Sequence, residues 1–164
     1  MELDDFAARF RPDIRAKLDW ERLATFSAPV RVESLRRGEA GRRLADLFTV
    51  WYVDPAGTDS TWNAPGSRPL QVAAAERTLL SWPERRRDTV TALARAFTEG
   101  PGPLRLTLPA YRVDEERYVL LDGNHRAVAA HQAAVDLSLT LCSLSGPACE
   151  SILPDLRHYA APLS

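Results

Sequence analysis

Apolar positions in this chain recur at helical spacing in some stretches and alternate with polar ones in others. Leu3, Phe6, Ala7 and Phe10 fall on one helical face. Pro12 then breaks the pattern or opens a second helix, lined by Ile14, Leu18 and Leu23 as far as about Phe26. Pro29–Leu35 alternates and predicts a short strand. Ala40–Leu47 is weakly helical, and Phe48–Val53 is rich in the aromatic and β-branched residues that suit a strand. Asp54–Pro69, with three prolines and two glycines, predicts a loop long enough to be functional. Gln71–Leu80 reads as helix. Ser81 and Glu84 stand at capping-box spacing before an apolar face of Val90, Leu93, Ala94 and Phe97, and Gly100–Pro103 ends that helix. Leu104–Leu108 alternates as a strand and Asp114–Glu116 turns the chain. Tyr118–Leu121 predicts a strand, Asn124 to about Val135 a helix, and Leu137–Leu144 a last strand.

That order predicts a small α/β (α+β) fold. The 164 residues are most simply one domain, with 1–28 a helical extension, 29–146 the core and 147–164 a tail. Net charge is −1, so there is no general attraction to nucleic acid or anionic membrane. The clusters Arg36, Arg37, Arg42, Arg43 and Arg85, Arg86, Arg87 are offset by acids, read as solvated helical faces, and make DNA an unexpected partner. The acidic start Met1–Asp5 carries no signal pattern and no apolar run approaches the ~20 residues of a membrane span, so a cytoplasmic location is expected. Cys142 and Cys149 read as reduced thiols, and with only His158 nearby they do not make a zinc site. Trp20, Trp51, Trp62 and Trp82 are expected in the core and in pocket walls.

The chemistry concentrates at Tyr118–Ala130. Four strand-forming residues run into Asp122-Gly123, and Asn124, His125 and Arg126 open an alanine-rich helix. A strand turning through glycine into a helix leaves free N–H groups at the positive end of the helix dipole. Gly123 removes a Cβ where a ligand would approach, Arg126 can fork onto phosphate oxygens, and His125 can donate in either charge state. Asp122 would repel a bare phosphate but suits a magnesium ion or a substrate hydrogen bond. The alternative is a plain strand–helix corner, with Asp122 capping the helix and pairing with Arg126. His131 reads as an ordinary surface or half-buried histidine.

This run resembles the ParB/sulfiredoxin superfamily, and is closest to its Asp-Gly-x-His-Arg form, found in kinases of free serine. The resemblance spans roughly Ala28–Gly146. It implies a mixed sheet flanked by helices, and a nucleotide (ATP, ADP or CTP) held with Mg²⁺ by Gly123, Asn124, His125 and Arg126. It also implies phosphoryl transfer to a small hydroxyl-bearing acceptor such as a free amino acid. Asp122 and His125 would join the chemistry, and Glu39, in Leu35-Arg36-Arg37-Gly38-Glu39, matches by position the glutamate proposed as base; Glu33 is a weaker candidate. Asn124 stands where sulfiredoxin carries its cysteine, which argues against sulfinic acid repair. The residues after the core are too few for ParB's DNA-binding and dimerisation domains. The other reading is a non-catalytic module, nucleotide-responsive or DNA-associated.

Overall fold

Both faces of a single mixed sheet are covered in the computed structural model, which describes residues 1–160; the end of the expected tail lies outside the described residues. The seven strands are β1 (Val30–Arg36), β2 (Phe48–Val53), β3 (Asp59–Ser60), β4 (Arg68–Gln71), β5 (Leu104–Arg112), β6 (Tyr118–Leu120) and β7 (Leu137–Ser145). They run in the order β1-β7-β5-β6-β2-β3, and β4 also pairs with β2. β5 pairs with β7 in parallel along its whole length, from Leu104 opposite Leu137 to Arg112 opposite Ser145. β2 lies parallel to β6, and the remaining pairs are antiparallel. The central strands β5 and β7 carry buried residues on both faces, as strands covered on both sides do.

Alternation along these strands divides the core in two. Leu106, Leu108, Ala110, Leu120, Leu139 and Leu141 face a layer of helices: α3 (Arg37–Asp46), α4 (Val72–Ala75), α5 (Glu84–Glu99) and α6 (Asn124–Ala133). Tyr111, Val119, Leu121, Cys142 and Leu144 face α1 (Leu3–Phe10), α2 (Trp20–Thr25) and the segment carrying Ile152, Leu156 and Tyr159. Small side chains at Ala127, Ala129 and Ala130 let α6 sit deep against the sheet and α5. None of the described helices is long and apolar enough to cross a membrane.

Several elements differ from the sequence expectation. Residues 13–18 are not helical: Ile14, Ala16 and Leu18 pack inward at every second position, while Asp13, Arg15 and Lys17 are exposed between them. The apolar positions at 14 and 18 satisfy both a helical and an extended period, and packing selects the extended one. α2 begins only at Trp20, after Asp19 accepts the Arg22 N–H at 2.9 Å. Gln71–Leu80 is not one helix. Gln71 ends β4, α4 is a single turn, and Glu76–Ser81 tightens into a 3₁₀ helix. There the Thr78 and Ser81 hydroxyls donate to the carbonyls of Ala75 and Thr78, each at 2.9 Å. Ser81 is thereby turned backward and forms no capping box; α5 starts after Pro83 with no side-chain cap. The Asp54–Pro69 stretch contains β3 and the start of β4, and β5 runs on to Arg112.

Candidate active site

The Asp122–Arg126 turn forms one side of a pocket of about 1000 Å³, at the upper end of ordinary ligand-site volumes. β6 ends at Leu120, and Gly123 takes a left-handed φ of 80° as the residue preceding α6. A Cβ at Gly123 would stand 2.6 Å from Leu108 Cδ2 and 2.9 Å from Arg126 Nη2. Glycine is therefore demanded by the backbone and by protein packing, a sharper requirement than the close ligand approach expected from sequence.

Asn124 has a structural task. Beyond the single parallel pairing of Phe48 with Val119, β6 turns away from β2, and Asn124 Oδ1 accepts the Val50 N–H at 3.0 Å. This bond fixes the start of α6 to β2. No side chain caps α6, and its first residues Asn124, His125 and Arg126 line the pocket. Asp122 does not cap the helix; its Oδ2 accepts from Arg126 Nη2 at 3.3 Å, with both side chains substantially exposed. A pair this open contributes at most about 1 kcal/mol, and a ligand oxygen can replace the carboxylate at little cost.

His125 is half-buried with its ring edge on Trp51, centroids 5.1 Å apart. Burial, assisted by the charge of Arg86 and opposed by Asp122, holds its pKa below the usual histidine value. The imidazole is therefore neutral at pH 7 and offers one donor and one acceptor. Arg86 belongs to the cluster read from sequence as solvated, but it turns inward. It lies 4.7 Å over Trp51 and 6.0 Å from Trp82, and bonds Asp59 Oδ1 at 2.6 Å. Trp82 precedes α5 in extended backbone, so no helical spacing in the sequence pointed to this contact.

The rest of the lining comes from other parts of the chain, among them the long loop, whose Trp62 the sequence reading already places in core or pocket wall. The extended stretch supplies Asp13, Arg15 and Lys17, and Pro154 and Asp155 come from beyond the core. Trp62 reaches in from the long loop. The pocket thus mixes Arg15, Lys17 and Arg126 with Asp13, Asp122 and Asp155. Such a lining suits a phosphate group accompanied by a divalent cation better than a bare polyanion. Among the described residues, no three His, Cys, Asp or Glu side chains gather into a metal cage. Asp122 is the carboxylate of the 122–126 turn that could contribute one ligand to a cation.

Glu39 is not brought to this pocket. The chain leaves β1 through Arg37, at a left-handed φ of 52°, and Glu39 is exposed on the first turn of α3, outside the pocket lining. Glu33 is engaged by Arg31 at 3.3 Å and Arg43 at 3.2 Å, and is also outside it. His131 pairs with Glu76 at 3.3 Å, as an ordinary half-buried histidine does. Comparison of the chain with protein-family models, curated proteins and solved structures finds no match in any of the three.

Proposed function

We propose that this chain binds a magnesium nucleotide, with the phosphates at the start of α6, and transfers a phosphoryl group to a small hydroxyl-bearing acceptor. One observation carries the reading: an uncapped helix start opens on a large pocket to which Arg126, Arg15 and Lys17 also contribute. The resemblance of Asp122-Gly123-Asn124-His125-Arg126 to the nucleotide turn of the ParB/sulfiredoxin superfamily supports it. Phosphoryl transfer asks mainly for positioning and charge neutralisation. Arg126, neutral His125 and the α6 N–H groups supply donors to phosphate oxygens, and bound Mg²⁺ would add neutralising charge at Asp122.

Transfer also needs a group to take the hydroxyl proton. Asp155 already accepts from Tyr52 and Asp122 from Arg126. Asp13 is the pocket carboxylate without a side-chain partner among the described residues, and it replaces Glu39 as the assigned base. The exposed position of Glu39 favours one second reading, a non-catalytic nucleotide-responsive module.

Thermal melting with ATP, ADP, CTP and GTP, with and without Mg²⁺, tests the binding step. A ligand at ~100 times its Kd adds about 2.7 kcal/mol of stability, several degrees for a chain of this length. Phosphorus NMR of the bound nucleotide with a panel of hydroxyl compounds then tests transfer. Turnover that is lost in Asp13→Asn and kept in Glu39→Gln is the expected result. Nucleotide that binds but stays intact with every acceptor selects the non-catalytic module, and no melting shift overturns both.

A further inference from the structure

We infer that Trp62 is the stacking platform for the nucleobase, in the same pocket that the Asp122–Arg126 turn lines. The inference rests on the nucleotide reading of the pocket. Trp62 lines that cavity and remains 40% exposed, whereas Trp51 and Trp82 are buried to 6% and 4%. An indole left this open keeps a broad apolar face in water, and a planar ring laid on it would remove that face from solvent.

The loop carrying Trp62 is not a free flap. Asp54 Oδ1 accepts the N–H groups of Ala56 and Thr58 at 2.9 Å, Ser60 and Ser67 share a hydroxyl hydrogen bond of 2.7 Å, and Asp59 is held by Arg86. Trp62 itself is held at its backbone and at its ring. Its carbonyl accepts from His158 Nε2 at 2.6 Å, and Arg157 lies 5.6 Å from its ring centroid. His158 in turn packs tilted against Tyr52, ring centroids 4.9 Å apart, and the Tyr52 hydroxyl donates to Asp155. A solvent-facing tryptophan held by both its backbone and its ring has paid its ordering entropy in advance, which is what a preorganised stacking surface requires.

Stacking on an aromatic side chain tolerates any base, because every base has a π-face, and its loss costs about 1–3 kcal/mol, or roughly 5- to 150-fold in affinity. The test compares Mg-nucleotides with inorganic tripolyphosphate, which carries the phosphates but no ring, on the full chain and on Trp62→Ala and Trp62→Phe. Trp62→Ala should weaken the nucleotide by roughly tenfold or more and leave tripolyphosphate unchanged, while Trp62→Phe restores most of the nucleotide affinity. Melting temperature reports whether each variant folds. Equal nucleotide affinity in Trp62→Ala and the unaltered chain overturns the platform but leaves the phosphate site standing. Parallel loss of both ligands in a folded Trp62→Ala makes Trp62 scaffolding and overturns it too. If the unaltered chain binds neither ligand, the nucleotide reading falls and the platform falls with it.

Discussion

Gly123 and His125 give opposite instructions at neighbouring positions: one must be absent of side chain, the other must be partly hidden. Gly123→Ala would meet both a left-handed φ and a 2.6 Å overlap with Leu108, each costing about 1–3 kcal/mol. Urea unfolding should show a loss of roughly 3 kcal/mol, larger than an exposed glycine position would give. For His125 the sign follows from its lowered pKa. The unfolded chain binds the proton near the ordinary value of 6.5, and the folded chain only at lower pH. The contribution is therefore complete above about pH 6.5 and is lost as pH falls through the folded value. The melting temperature should decline on acidification from pH 6.5, and His125→Gln should flatten that decline. The glycine and the polar run after it are visible in the sequence as a strand–helix turn. The burial that lowers the His125 pKa, and the charge of Arg86 that adds to it, are not, because a run of three arginines on a helix looks solvated until the fold shows which one turns inward.

At the level of elements, α6 is held at its start by one side-chain bond rather than by a cap. Asn124→Ala would strand the Val50 N–H, at about 1–3 kcal/mol. Asn124→Asp keeps an acceptor for that N–H but places a negative charge where the phosphates are to sit. Calorimetry and melting together should find Asn124→Asp close to the unaltered chain in stability and much weaker for nucleotide, whereas Asn124→Ala loses both. Helix and strand identities in the core were legible because their apolar periods are unambiguous: α5 from Val90 to Phe97, β7 from Leu137 onward. They failed where one pattern serves two periods, as at Ile14 and Leu18, and where hydroxyls redirected the backbone, as at Thr78 and Ser81. Nothing local could show that Glu39 leaves the pocket, since its place depends on β1 lying at the far edge of the sheet order from β2.

Across the whole molecule, the pocket draws its walls from distant parts of the chain: the 13–17 stretch, β2, the 122–126 turn and Pro154–Asp155. Arg15 and Lys17 are exposed, so their replacement by alanine should leave melting unchanged. The double variant should nonetheless bind the nucleotide more weakly, with a shallower dependence on salt measured by titration at several ionic strengths. Their alternation with partly buried Ile14 and Ala16 and buried Leu18 is what aims them outward, so one short stretch serves core packing and ligand charge at once.

The pairing of β1 with β7 joins the first strand to the last, Val30 opposite Leu144. During synthesis β1 emerges long before its partner β7 exists, and its hydrogen-bonding edges stay open until nearly the whole core has been made. Closing so long a loop is slow compared with forming α5 or α6, so the final sheet edge is expected to seal late in refolding. An interrupted chain ending before β7 would carry the entire Asp122–Arg126 turn and still expose a seven-residue unpaired strand, a template for aggregation rather than a working fragment.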